Sequence, residues 1–578
     1  MDARMANPRT SRRGEDRTKR RSSMMKETCG NESPVTALRD KAEPRYRVLV
    51  FLLALLLGLG SIAGKPFAYH DELRVAGIAR EMAIEGDYAV PRLNGEPFLE
   101  YPSLGYIPLA LLMNVAERPS TFVVHLASLL AGVGTLFIVF LIGRTLGGER
   151  VGLLAALVLQ TTFAFLNIHS KILVDPWLAF WITLSLYGFI AGYRAPRNRF
   201  LFFSLWYFGA ACAFLTKGLV GLGLPGITAA VFLACRRDFA AVRDLRPWWG
   251  LVIFAAPILL WIYGTSRAEG AGHLSEVWRQ SVWRFSSSEA HHAAPVYSYL
   301  SLILSMALPW TLFMPAVLWR HFAPSRWNVP LATTSDGLFP RVWLAAMFIA
   351  LSLASAKRKL YLAPVLPSIA LLVALWWDGA VRCEKAPALD RFFLRLFPIA
   401  GAVFLVAAAV TMFVVGPVGL AVGAALIVAG AAWLLRAHRR DLARPAPALG
   451  FFLVCYLLGA GAFNHAWVLP GARSDSIEPF FETISREWRD REIVLYHPTE
   501  TYRGAMVFYL GRRVPVAQEI KDAIRWADEE PQALFIAEGK YLDELVSALG
   551  PRPAKVLLSA QAGENRAGLV GVAASATH

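Results

Sequence analysis

Five short stretches gather residues whose types could do chemistry. "HDELR" places Asp71, Glu72 and Arg74 together, "FLEYP" adds Glu100 and Tyr101, "SKILVDPW" holds Asp175, and "FLTKG" holds Lys217. "SAKRKLY" ends in Lys357, Arg358, Lys359 and Tyr361. A sixth, "RFSSSEAHH", supplies Arg284, His291 and His292. A carboxylate beside a reacting hydroxyl can orient or deprotonate it, and clustered cations can take up an anionic leaving group. Each stretch also has an ordinary reading. Asp71 and Glu72 suit the positive end of a helix, Asp175 before Pro176 suits a helix start, and Lys217 at a span end can snorkel. Adjacent histidines do not share a helix face, so the i, i+4 metal pair is absent from His291 and His292.

The elements that must position these residues are membrane spans. Apolar residues make up 56% of the 578 positions, charged residues 18%, and the mean hydropathy is +0.43. Apolar runs of about twenty residues fit helices crossing about 30 Å of hydrocarbon; a barrel would show alternating runs of about ten. Thirteen spans are expected: 46–64, 120–143, 151–168, 173–193, 200–216, 218–235, 247–266, 297–319, 340–356, 360–378, 394–415, 417–436 and 449–470. Arginines at 144, 150, 194, 197, 199, 236, 237, 243, 246, 320, 326, 436, 439 and 440 fall on alternate turns, the side of the basic N-terminal tail, which is therefore the cytoplasmic side. The loops 65–119 and 267–296, the turns at Asp175 and Lys217 and the 355–359 turn then face outward. Lys357, Arg358 and Lys359 break the positive-inside pattern, which suggests an anionic ligand at the outer membrane edge.

Residues 1–45 read as a disordered basic cytoplasmic tail, 46–470 as the membrane domain, and 471–578 as a small external α/β domain, where "EIVLYH", "ALFIAEG" and "KVLLSA" are β-type runs. The net charge of +16 follows the loops and tail rather than a nucleic-acid footprint, so no nucleic-acid partner is expected. The five cysteines form no C-x-x-C pair, and "GLGLPG" at 221–226 matches a dinucleotide fingerprint only by coincidence, since it lies inside an apolar span. Span interiors are nearly free of charge while the outward turns carry acids and bases. A transporter or lipid flippase, the rival reading, would want charge at the midplane.

In order over roughly residues 66–380, "HDELRVAGIAREMAIEGDYAVPRLNGEPFLEYPSLGY", "VDPWLAFWITLSLY", "FLTKGLVGLGLPG", "RFSSSEAHHAAPVYSYL", "LPW" and "SLASAKRKLYLAPVLPSIALL" resemble the bacterial family 39 membrane glycosyltransferases. That group contains the lipid A aminoarabinose transferases and is related to protein O-mannosyltransferases. The resemblance implies a GT-C fold in the inner membrane and a sugar donor carried on polyprenyl (undecaprenyl) phosphate. It also implies transfer to lipid A, another glycolipid or protein Ser/Thr on the outer face; an oligosaccharide polymerase or ligase of the same broad fold is a second rival. By resemblance Asp71 is the base or acceptor-orienting carboxylate and Asp175 a second site acid. Arg74, Lys217, Lys357, Arg358, Lys359 and Tyr361 contact the donor phosphate. Glu72, Glu100, Tyr101, Arg284, His291 and His292 fall on the acceptor or metal side, Glu100 being a position that binds a divalent metal in the aminoarabinose branch. Two departures stand out. Family members often read E-K-P-P where this chain has Glu100, Tyr101, Pro102 and Ser103, and Ser281 stands where that branch has a histidine before its R-F pair. Lys357 or Arg358 is then the expected source of the missing charge.

Overall fold

The computed structural model describes residues 44–67, 70–98, 100–116, 120–270, 295–322, 337–354, 357–383, 386–415, 445–549, 554–562 and 565–572, with a few isolated positions between them. The expected tail, the 417–436 span and most of the 267–296 loop, with Arg284, His291 and His292, lie outside the described residues.

Among the described residues seven helices are long and apolar enough to cross a membrane, eight if a bent pair counts as one span. They are Thr121–Gln160, Arg199–Lys217, Leu219–Arg236, Pro247–Glu269, Lys359–Arg382, Ala388–Phe413 and Pro445–Ser474. The bent pair, Ser298–Met306 with Trp310–Phe322, turns by 106° where the sequence suggested one straight crossing. Pro309, which has no N–H to donate, lies at the break. Thr121–Gln160 is likewise two arms, since Gly147 and Gly148 are non-helical and Gly148 has φ +86, which glycine adopts without steric cost. These arms correspond to the expected 120–143 and 151–168 spans, except that Phe163–His169 is a separate short helix. Shorter or less apolar helices cover Pro44–Ile62, Asp175–Arg194 and Leu338–Leu353.

Two local signals place the site. Pro176 occupies the first turn of Asp175–Arg194, where its missing donor costs nothing, so Asp175 heads the helix. Gly218, with φ +64, ends Arg199–Lys217 and lets the next helix start at Leu219, leaving Lys217 on the turn.

After the 65–119 segment, which forms the helix His70–Glu85 and a small hairpin of β1 (Arg92–Leu93) and β2 (Glu96–Pro97), the second large structured region is at the C-terminal end. There β3 (Ile493–Tyr496), β4 (Val516–Ala517), β5 (Leu534–Glu538), β6 (Ala554–Ala562) and β7 (Asn565–Val572) form a sheet in the order β4-β3-β5-β7-β6. β3 is parallel to β4 and β5, and β7 is antiparallel to β5 and β6. Side chains alternate across it as pleating requires. Val494, Tyr496 and Phe535 pack on Ala523, Ala527 and Leu545, while Ile493, Leu495 and Ile536 join a core shared with Ile78, Leu109 and Met506. The first loop and the C-terminal sheet thus have one core. Their helices His70–Glu85 and Glu500–Leu510 meet at Gly77 and Gly504, where a Cβ on Gly77 would lie 2.4 Å from the Gly504 Cα. Around that contact Asn94 donates to the Val514 carbonyl at 2.8 Å and accepts its N–H at 2.9 Å, and Arg513 reaches Glu81 at 2.8 Å.

Candidate active site

The turns expected to face outward converge where they are described. Asp71, in the first turn of His70–Glu85, binds Arg74 at 2.8 Å and Arg358, from the 357–361 turn, at 2.5 Å through its other oxygen. Burial alone would raise the Asp71 pKa, but the charge of Arg74 and the hydrogen bond from Arg358 outweigh it and hold the carboxyl below its ordinary range. Arg74 lies 2.6 Å from Glu500, 3.9 Å from Glu100 and over the Phe98 ring at 5.4 Å. Burial works against its charge, yet Glu100 and Asp71 fix it as a cation.

A second pair sits beside the first. Lys217 donates to Asp175 at 2.7 Å, with the two side chains only 7% and 6% exposed. Its ammonium lies 5.2 Å from the Tyr101 ring centroid and 4.7 Å from that of Tyr361, within cation–π range. Asp71 feels the charge of Lys217, so the two pairs share one field. Where a family lysine was expected, the Tyr101 ring meets the lysine that ends Arg199–Lys217, and the site charge comes from Lys217 and Arg358.

Two expected residues are placed otherwise. Glu72 does not face the acceptor side: one residue along a helix turns the side chain by about 100°, and Glu72 is 1% exposed, accepts the Ile172 N–H at 3.1 Å and lies 3.8 Å from His125. Lys357 is 9% exposed and donates to the Ala354 carbonyl at 2.6 Å, so it closes a helix end, while Lys359 is exposed beside the site. Among the described residues no three His, Cys, Asp or Glu side chains could hold a metal together, and Glu100 faces the Arg74 guanidinium instead. Within the described residues that donor set does not fit a divalent ion.

Four contributors escaped the sequence reading. Lys171 lies within range of Glu72, Lys359, Arg358 and Asp71, and burial first, then the two neighbouring cations, lower its pKa. Lys65 donates to Ser170 through its carbonyl at 2.5 Å and its hydroxyl at 2.9 Å, and with Glu72 it pins the turn leading to Asp175. The Tyr299 hydroxyl donates to the Arg358 carbonyl at 3.2 Å. Glu500 comes from the C-terminal region, 426 residues from Arg74. Lys171 and Tyr299 lay within stretches already singled out; nothing local marks Glu500.

Residues 98–262 match the family described as Dolichyl-phosphate-mannose-protein mannosyltransferase. The structure of ArnT from Cupriavidus metallidurans bound to undecaprenyl phosphate superposes with a TM-score of 0.70 at 20% identity, covering 91% of this chain and 98% of that one. The chain has the ArnT fold. By sequence it is similar to the undecaprenyl phosphate-alpha-4-amino-4-deoxy-L-arabinose arabinosyl transferase of Shewanella sediminis, 27% identical over 58% of this chain and 60% of that protein. The protein of the same name from Pectobacterium carotovorum subsp. carotovorum is 28% identical over 60% of this chain and 61% of its own length. The matching region thus spans about 60% of these curated relatives. The resemblance read from the sequence motifs holds, and the fold is the helical membrane fold it implied.

Proposed function

We propose that this chain is an inner-membrane glycosyltransferase that moves a sugar from an undecaprenyl-phosphate donor to an envelope acceptor, lipid A or another glycolipid ahead of protein Ser/Thr. Support comes first from one observation: Asp71, Arg74, Asp175, Lys217, Arg358 and Tyr361, drawn from four outward segments, form two adjoining ionic pairs with aromatic walls. In the reaction the acceptor oxygen attacks the anomeric carbon as the bond from that carbon to the phosphate oxygen breaks, with inversion. The leaving lipid phosphate gains charge, which Lys217, Arg358, Lys171 and Lys359 neutralise. Asp71, held ionised, orients the acceptor and takes its proton where the acceptor is a hydroxyl; a phosphate acceptor arrives already deprotonated. The names of the similar transferases favour the same donor class.

The reading includes thirteen crossings, a cytoplasmic N-terminus and an external C-terminal domain over 471–578. The arginine pattern and the convergence of the turns at Asp71, Asp175, Lys217 and Arg358 support that orientation. The test is Asp71→Asn in purified protein with labelled undecaprenyl-phosphate sugars. Transfer is lost while the variant still binds the lipid donor; undiminished transfer removes Asp71 from this role.

A further inference from the structure

Pro44–Ile62, Phe163–His169 and both arms of Thr121–Gln160 surround a small cavity lined by Gly58, Gly132, Leu136, Gln160, Phe165 and His169. Its volume of about 20 Å³ is large enough to admit water. Two of its walls are polar and almost wholly buried. Gln160 is 1% exposed and neither of its amide atoms has a hydrogen-bond partner among the described residues. His169 is 4% exposed and its Nε2 is likewise unpartnered.

The protonation of His169 follows from its other nitrogen. Nδ1 lies 2.9 Å from the Phe165 carbonyl, which can only accept, so Nδ1 carries the proton and Nε2 presents a lone pair. The ring is seated against Gly132, where a Cβ would come within 2.9 Å of Cδ2. The cavity therefore demands a donor at Nε2 and offers both a donor and an acceptor at Gln160. Leaving such groups unsatisfied is costly in a region without bulk water. A water supplies both functions.

We propose that the cavity is a built hydration site holding one water, which donates to His169 Nε2 and accepts from the Gln160 amide. It ties Gln160, at the end of one long helix, to His169, the last residue before Ser170 and the turn that carries Lys171 and Asp175.

The direct test is a cryo-EM or crystal map of the full chain in lipid nanodiscs, at a resolution that shows ordered solvent. A single peak within hydrogen-bond distance of both His169 Nε2 and Gln160 is expected. No peak, an acyl chain in its place, or a direct Gln160–His169 bond overturns the proposal. Nitrogen-15 spectra of His169 give a second readout. The wild type should show the neutral Nδ1–H tautomer with Nε2 shifted as a hydrogen-bonded acceptor. In Gln160→Leu, which removes half of the water's anchorage, the Nε2 signal should move towards the unbonded position. A wild-type Nε2 signal already at the unbonded position contradicts the site whether or not the variant folds.

Discussion

Two ionic clusters lie near opposite ends of the helix Leu366–Arg382, and their central carboxylates, Asp390 and Asp71, differ in burial. At one end Asp390 is 1% exposed, with one oxygen taking the Trp376 indole at 2.9 Å and the other taking Arg320. Asp378 nearby is shared by Arg150 at 3.2 Å and Arg382 at 2.8 Å. At the other end Asp71 and Arg358 have side chains 17% and 22% exposed, and Glu500, on Arg74, is 52% exposed. Closed pairs of the first kind fix helix ends, and breaking one strands a charge in low dielectric. The half-open network of the second kind keeps charge at a surface where substrate can exchange for a protein partner. Burial separates Asp390 from Asp71; charge and saturation do not, since both oxygens of each carboxylate are paired, and the Lys217–Asp175 pair of the site is itself closed.

Four perturbations sharpen that contrast, from the largest effect to the smallest. Asp390→Ala should destabilise the protein by about 3 to 5 kcal/mol, seen as a large fall in Tm in detergent, because Arg320 is left buried and unpaired; an unchanged Tm would erase the distinction. Asp71→Asn should do the reverse, cutting sugar transfer by roughly 10²- to 10⁴-fold with little change in Tm. Gly504→Ala should loosen the C-terminal region from the first loop, since its Cβ would meet the Leu73 carbonyl at 2.4 Å. Faster hydrogen exchange at 70–85 and 500–510 is the expected signature, and unaltered exchange would show that the two helices do not depend on that contact.

The smallest effect is a pH dependence at the same junction. Glu478 accepts the Phe67 N–H at 3.2 Å, and burial first, with the nearby Glu482, pushes its pKa up to about 7. The docked form then binds more protons than the undocked one. Docking is strongest below the ordinary glutamate range near 4.5, weakens as pH rises towards about 7, and changes no further above it. Glu478→Gln should flatten that slope in a proteolysis assay of the 471–578 region; a slope that survives assigns it to another group.

Much of this organisation was legible because membrane physics is strict. Apolar run length gave most of the helices, and the arginine alternation predicted which turns share a side, so Asp71, Asp175, Lys217 and Arg358 could be grouped before their contacts were known. What stayed hidden depended on direction rather than position. Glu72 and Asp71 are neighbours in sequence, yet helical rotation sends one to His125 and Ile172 and the other to Arg358. Lys357 and Arg358 also part, there because the backbone at Arg358 is extended. The bend at Pro309 interrupts a run that is apolar on both sides. Glu500 could not be foreseen, because its place beside Arg74 is set by packing between regions more than four hundred residues apart.

The central claim is that these outward turns together hold the phosphate of a lipid donor. Photo-crosslinking with an undecaprenyl phosphate bearing a reactive group next to its phosphate, followed by peptide mapping, measures it directly. Labels should concentrate on 71–74, 100–101, 171–175, 217 and 358–361. Labelling confined to the arginine-rich turns at 194–199 and 236–246 would contradict it.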